Sequence, residues 1–278
     1  MIDRLCGIGD EGAAGLARQI AVHLELQLQA LELRTMDGRG VHLLSDGEAD
    51  AAAEAVSAAG LTVPVVDTPL GSWSVNVGVS DESELEILRR AARNAKRFSC
   101  RQLRIMSYPN DGRPEREWRA EAIRKLRLLV ETAAELDVVL LHENCHGWAS
   151  TGAARTLELV SEVAGLRLLF DIGNGIAHHY RSLPFLREVL PYVEHVHIKD
   201  GTVTDGQAVF GRPGEGDAEL LGCLQLLVDS GYQGWYSVEP HVALIPHLGV
   251  SGDPERTEMA YVDYVRRLKA LVGKAVTA

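Results

Sequence analysis

Residues 138–148 have the sequence VVLLHENCHGW, and this stretch decides the fold. Its four leading apolar residues are typical of a strand that is buried on both faces, as in a parallel sheet. The strand runs directly into ionisable and amide side chains, among them Glu143. In a barrel of alternating strands and helices, aliphatic side chains fill the interior, while the carboxyl ends of the strands open onto the catalytic face. The stretch therefore predicts a barrel strand that ends in a functional site.

Three later apolar runs end in the same way. Asp171 follows the run LLF, His197 lies near the end of the run VEHVHI, and Glu239 follows the run WYSV. An ionised carboxylate inside a sheet is costly unless it is neutralised, and the simplest partner is a metal ion. Three carboxylates and one imidazole suit Mn²⁺ best, or Mg²⁺, and tolerate Co²⁺ or Zn²⁺. We therefore predict that Glu143, Asp171, His197 and Glu239 share one divalent ion.

Each of these residues has another explanation when it is taken alone. Glu143 could be held by backbone amides or by a lysine, and Asp171 could cap a turn or helix. His197 could be a buried structural histidine, although it is a better ligand candidate than His195 because it lies nearer the carboxyl end of its strand. The repetition on four consecutive strands is what favours a common site.

The whole chain alternates between apolar runs and stretches with helical spacing. Its 278 residues fit one barrel of about 250 residues with modest loops. We predict an α/β fold, a single (β/α)8 TIM barrel domain over residues 1–278. The predicted strands are residues 5–8, 28–34, 61–66, 103–106, 138–141, 166–170, 193–198 and 235–238. In the second strand, Glu32 or Arg34 could reach the strand's end, and the Gly-rich segment 201–216 is predicted to be a loop.

Composition and charge exclude several classes of protein. With 46% hydrophobic and 24% charged residues, the chain resembles an ordinary globular protein. The net charge of -11 argues against a nucleic-acid partner, because that affinity comes mainly from Lys and Arg. The first ten residues contain no long apolar segment, so neither membrane insertion nor secretion is expected. The four cysteines are scattered, which favours reduced thiols and a cytoplasmic location.

Five short motifs together resemble those of the xylose isomerase-like TIM barrels. They are Glu-Asn-x-His-Gly from Glu143, Asp-x-Gly-Asn from Asp171, His-x-Lys-Asp from His197, Gly-Glu-Gly-Asp from Gly214 and Ser-Val-Glu ending at Glu239. This superfamily contains sugar and sugar phosphate isomerases and epimerases, including the tagatose/psicose 3-epimerases, and the inosose dehydratases. The resemblance implies a divalent ion held by the same four residues, and a homo-oligomer is a further expectation.

Two positions depart from the epimerase pattern. Asn174 stands three residues after Asp171, where the epimerases usually carry a histidine. Val203 stands six residues after His197, where they carry an arginine. Both departures weaken a specific ketose 3-epimerase assignment and lean toward the inosose dehydratase and general isomerase branches.

The mechanism that we expect is proton abstraction next to a carbonyl, with a metal-stabilised enediolate. Glu143 and Glu239 are the candidate catalytic pair, one to take the proton and one to return it. The candidate substrate-binding residues are His146, Asn174, Lys199, Arg212 and Trp73. A structural or packing role is the alternative for His146 and Trp73, and Lys199 could instead neutralise Asp200.

The leading hypothesis is a metal-dependent isomerase or epimerase of a sugar, sugar phosphate or polyol derivative. The alternative is a lyase of the inosose or dehydroshikimate dehydratase type, in which the same enolate expels a β-hydroxyl. A phosphodiesterase of the endonuclease IV type would need more histidine ligands and a basic surface, which this acidic chain does not favour. A non-catalytic barrel that binds a small molecule is a remote alternative.

Overall fold

The computed structural model describes residues 2–242 and 253–276. The strands are β1 Leu5–Gly7, β2 Thr35–Met36, β3 Arg39–Gly40, β4 Val66–Asp67, β5 Gln102–Ser107, β6 Val139–Gly147, β7 Arg167–Asp171, β8 Val193–Ile198, β9 Gly201–Thr204, β10 Gln207–Phe210 and β11 Trp235–Val238. The helices are α1 Leu16–Glu25, α2 Asp46–Ala58, α3 Asp81–Arg97, α4 Glu115–Glu135, α5 Ala153–Glu162, α6 Asn174–His178, α7 Ser182–Val189, α8 Leu220–Asp229 and α9 Pro254–Val276. Short 3-10 helices span Ile2–Arg4, Gly9–Glu11, Val41–Leu43 and Leu190–Tyr192.

Seven strands form one parallel sheet in the order β1-β11-β8-β7-β6-β5-β4. Helices follow these strands along the chain, which confirms the predicted α/β barrel class. The local sequence supports the helices: α2 begins with a capping box in which Ser45 and Glu48 exchange hydrogen bonds. In α3, acidic residues occupy the first turn and Lys96 and Arg97 the last, as the helix dipole favours.

The predicted second strand, residues 28–34, does not form a continuous strand. Instead, the segment 30–33 makes isolated parallel bridges to both edges of the sheet, Glu32 to Ile8 on one side and Leu33 to Val66 on the other. Backbone bonds alternate between the two sides, with Glu32 N donating to Gly7 O at 2.9 Å and Leu33 N to Val65 O at 3.2 Å. The segment therefore joins β1 to β4 and closes the ring without a full ladder.

Alternation along the strands separates the core into an inner and an outer layer. Leu141 of β6 and Leu169 of β7 pack against each other inside the barrel. Leu140 and Leu168, one residue earlier on each strand, pack outward in the larger clusters. The next inward positions after Leu141 and Leu169 lie two residues further along the strands. The same alternation that fills the barrel with leucine therefore brings carboxylates to its mouth.

The predicted loop 201–216 contains an antiparallel hairpin, β9–β10, in which Gly201 is paired with Phe210. Asp200 anchors it, because the Asp200 carboxylate accepts backbone hydrogen bonds from Gly201, Gly214 and Gly216 at 2.9, 2.7 and 3.2 Å. Within residues 2–242 and 253–276, no helix combines the length and the apolar character that are needed to cross a membrane.

Candidate metal centre

The structure brings the four predicted ligands together at the barrel mouth. Ligand atoms of Glu143, Asp171, His197 and Glu239 all lie within 4.8 Å of one another, and all four residues are buried. His197 Nδ1 lies 3.4 Å from Glu239 Oε2 and 3.9 Å from both Glu143 Oε1 and Asp171 Oδ2. Strand register explains part of this convergence, because Asp171 and His197 are direct partners across β7 and β8.

The two ring nitrogens of His197 have different environments. Nε2 is bonded to Glu32 Oε1 at 2.9 Å, which fixes the orientation of the ring. Nδ1 is buried and, among the described residues, meets no partner in hydrogen-bond geometry, although it faces the three carboxylates. A metal-ligating histidine is typically held by a carboxylate in this manner through its other nitrogen. The donor set of three carboxylates and one imidazole therefore fits a divalent ion.

Glu32 positions His197 from behind the centre, whereas the sequence indicated only that Glu32 or Arg34 could reach the end of the second strand. Its carboxylate also binds His195 Nε2, at 2.7 Å. Burial opposes ionisation of Glu32, but the two histidines hold its pKa well below the usual range. Burial likewise opposes protonation of His197, yet Glu32 and Glu239 raise the pKa of that imidazole well above its ordinary value. A metal ion that binds His197 would therefore displace a proton.

Lys199 lies inside the carboxylate cluster. Its ammonium is 2.7 Å from Asp171 Oδ2 and 2.8 Å from Glu239 Oε2. The alternative that Lys199 neutralises Asp200 is wrong, because the Asp200 carboxylate is used by the backbone amides of the hairpin. Lys199 follows His197 by two residues, so that the alternation of the strand directs both side chains inward.

Two buried arginines each hold one of the candidate catalytic glutamates. Arg34 Nη1 donates to Glu239 Oε1 at 2.9 Å. Arg104 Nε lies 3.4 Å from Glu143 Oε2, and Arg104 Nη2 lies 3.1 Å from Asp67 Oδ2. Neither Arg104 nor Asp67 stands out in the sequence. The two residues are direct partners across β4 and β5, and this pairing can be recognised only when the register of the two strands is known.

Burial and neighbouring charges act in opposite directions on the carboxylates of the centre. It raises the pKa of Asp171 to about 6, against the opposing effect of Lys199, and that of Asp67 to about 7, against Arg104. Burial acts in the same direction on Glu239, but there the cationic groups, Lys199 first, keep the pKa well below its ordinary range. A bound divalent cation would stabilise the ionised form of these carboxylates.

The candidate substrate-binding residues lie at different distances from the centre. Asn174 is within it, since its Nδ2 donates to Glu143 Oε1 at 3.2 Å and its backbone N to Asp171 Oδ1 at 2.8 Å. The His146 ring lies 6.1 Å from the Trp73 ring. Arg212 is not brought to the centre: its side chain is 57% exposed and lies 4.0 Å from Glu215.

A cavity of about 410 Å³ lies beside the centre. Arg34, Trp73 and Arg104 line both this cavity and the small space between the carboxylates. Its volume is in the range of pockets for small molecules, roughly 300–1,000 Å³. A small substrate held there would contact the same arginines that hold Glu143 and Glu239.

A family model described as xylose isomerase-like TIM barrel matches residues 21–270. The chain belongs to this family. The match confirms the superfamily that the five motifs predicted, and it extends over most of the alternating strands and helices.

Individual relatives include both dehydratases and epimerases. An inosose dehydratase from Bacillus thuringiensis (strain Al Hakam) is 30% identical over 142 residues, 45% of this chain and 47% of that protein, so that the chain spans about half the length of the curated relatives it matches. A family member from Mycobacterium smegmatis, in complex with magnesium, has a TM-score of 0.67 at 17% identity and covers 95% of this chain and 97% of its own. A D-allulose 3-epimerase from Methylomonas sp., in complex with D-allulose, has a TM-score of 0.72 at 16% identity, over 96% and 97% of the two chains. At these identities the solved structures show the fold alone.

Proposed function

We propose that the chain is a divalent-metal-dependent isomerase or epimerase of a sugar, sugar phosphate or polyol derivative. The observation that carries this proposal is the convergence of Glu143, Asp171, Glu239 and His197 Nδ1, which makes no hydrogen bond to the described residues, on one point. When bound, a divalent ion supplies Lewis acidity toward the carbonyl and hydroxyl oxygens of the substrate. Mn²⁺ is the ion that we propose, with Mg²⁺, Co²⁺ and Zn²⁺ as alternatives. The magnesium complex of the Mycobacterium smegmatis relative supports a divalent ion.

Glu143 and Glu239 are the proposed catalytic pair. One carboxylate takes the proton from the carbon next to the carbonyl, and the other returns a proton to the same or the neighbouring carbon. Arg104 and Arg34 support this assignment, because each arginine contacts one of the two glutamates and fixes its position. The arginines also limit the rotation of the glutamate side chains, which keeps the pair in place at the centre.

The cavity beside the centre is the proposed substrate site. Trp73 lines the cavity and can cover an apolar face of a sugar ring. His146, whose ring lies 6.1 Å from that of Trp73, is proposed to bind a hydroxyl group. Asn174 is proposed to act through Glu143, to which its amide is bonded. The complex of a structurally similar epimerase with D-allulose supports a small carbohydrate as the substrate.

A second candidate is a lyase, and two observations favour it. The curated relative from Bacillus thuringiensis is an inosose dehydratase, and Asn174 and Val203 depart from the epimerase pattern. The first step would be the same proton abstraction by a glutamate. The resulting enolate would then expel the hydroxyl group of the β-carbon as the C–O bond breaks, and the carboxyl group that took the first proton would protonate the departing oxygen to give water.

One experiment tests the shared step and separates the two outcomes. Ketoses and inososes are incubated with the Mn²⁺-loaded protein in D₂O and followed by NMR, with Glu143→Gln and Glu239→Gln as matched variants. We expect deuterium at the carbon next to the carbonyl with the parent protein and not with either variant. Dehydration adds the ultraviolet absorbance of a conjugated enone, which isomerisation does not produce. Exchange that persists in both variants would refute the proposed catalytic pair.

A further inference from the structure

We propose that Lys199 competes with the divalent ion for the same carboxylate oxygens, and that this competition sets the metal affinity of the centre. The inference rests on the proposed function, since it takes the four ligands as a metal site. Lys199 would then be an internal counter-ion that occupies the centre in the metal-free protein and is displaced when the ion binds.

The positions of the oxygens carry the inference. The two oxygens that contact the Lys199 ammonium, Asp171 Oδ2 and Glu239 Oε2, are also oxygens that face His197 Nδ1. An ion that joins His197 to Asp171 and Glu239 must therefore use the oxygens to which the ammonium is paired. Two cations that share these oxygens would repel each other strongly, because the site is buried and poorly screened.

The available space points in the same direction. The small space lined by Glu143, Cys145, Lys199 and Glu239 has a volume of about 10 Å³. One water molecule needs roughly 10–15 Å³, so the space beside the ammonium is too small for an ion together with a water ligand. The Lys199 side chain is only 2% exposed, and the displaced group would therefore vacate a buried position.

The other cations of the centre do not compete in this way. Arg34 binds Glu239 through Oε1, and Arg104 contacts Glu143 through Oε2. These are the oxygens opposite to the ones that face His197. The arginines can therefore remain in place when the ion binds, while Lys199 cannot.

The surroundings of Lys199 pack closely around its stem and place an aromatic face beside its ammonium. Gly173 packs against its Cγ so closely that a Cβ at this position would overlap it. On the other side, the ammonium already lies over the Phe210 ring, 5.6 Å from its centre, and this cation–π contact does not depend on the carboxylates. A lysine is suited to this role because its ammonium is a compact charge on a flexible stem.

The test measures Mn²⁺ binding by calorimetry with metal-stripped full-length protein, so that it does not depend on turnover. Lys199→Met and Lys199→Gln are compared with the parent; glutamine keeps a polar group of similar length if methionine prevents folding. Lys125→Met is the matched control, because Lys125 is also a buried lysine and its ammonium bonds Val79 O at 2.5 Å and Asp81 at 2.6 Å.

We expect both Lys199 variants to bind Mn²⁺ at least about tenfold more tightly than the parent, within the usual range of coupling between two ligands. Their melting temperatures should fall without metal and recover on addition of Mn²⁺, whereas Lys125→Met should lose stability equally with and without metal. Mn²⁺ binding by Lys199→Gln that is equal to or weaker than that of the parent would overturn the competition by Lys199 and leave the proposed metal function standing. Failure of the parent and of both Lys199 variants to bind Mn²⁺ would overturn the proposed metal function as well.

Discussion

Replacing Glu32 by glutamine should weaken metal binding although Glu32 is not a predicted ligand. The carboxylate accepts hydrogen bonds at 2.7 and 2.9 Å from His195 and His197, one through each oxygen. Glutamine has a single acceptor oxygen, so one histidine loses its partner. Changes of this kind behind a metal-ligating histidine typically cost about 10–100-fold in metal affinity. That range corresponds to about 1.4–2.7 kcal/mol.

The same substitution should also lower stability, because it breaks a buried pair of charged groups. Such losses are about 3–5 kcal/mol, and urea unfolding of the metal-stripped protein measures them. Calorimetric titration with Mn²⁺ measures the affinity. Glu84→Gln is the matched control: Glu84 is also buried, but its carboxylate accepts from Tyr108 Oη at 2.8 Å and from Gly71 N at 3.2 Å. An unchanged Mn²⁺ affinity in a folded Glu32→Gln variant would refute the supporting role of Glu32.

Three further predictions concern a ligand, a buried histidine and a glycine. Glu239→Gln should lower the Mn²⁺ content found by elemental analysis, and equal occupancy in the two proteins would count against Glu239 as a ligand. Burial lowers the pKa of His142 from 6.5 to about 3, so between these values only the unfolded chain binds the proton and stability falls as the pH drops. Between about pH 7 and about pH 5 the free energy of unfolding falls by about 2 kcal/mol for this reason. Urea unfolding of His142→Leu should not show this fall. An equal pH dependence in the parent and the variant would contradict the lowered pKa of His142. Gly147→Ala should lower the free energy of unfolding by at least about 2 kcal/mol, because Gly147 has a φ of 102° and a Cβ would overlap the backbone of Ser107. An unfolding midpoint equal to that of the parent would argue against this strain.

The four candidate ligands could be chosen from the sequence because strand alternation is a local rule. Glu143 lies two residues beyond the inward-facing Leu141, and Asp171 two residues beyond Leu169, so that each carboxylate inherits the inward direction of its strand. The length of each apolar run fixes where the strand reaches the barrel mouth. No knowledge of the neighbouring strands is needed for that step.

The supporting charges could not be predicted in the same manner. The pairing of Asp67 with Arg104 depends on the register between β4 and β5, which no local pattern records. The partners of Lys199 depend on the arrangement of β7, β8 and β11 around the ring. The hairpin β9–β10 was missed because its many glycines are equally typical of an irregular loop, and its order depends on the distant carboxylate of Asp200.

Segment 30–33 joins the two edges of the sheet by single bridges, and it also carries the carboxylate that orients His195 and His197. One short piece of backbone thus both closes the barrel and orients the rings of His195 and His197. Substitutions that weaken the bridges of segment 30–33 would displace the His197 ring although they change none of the four candidate ligands. Conversely, substitutions that rigidify segment 30–33 would stabilise the orientation of these histidines without changing any residue at the barrel mouth.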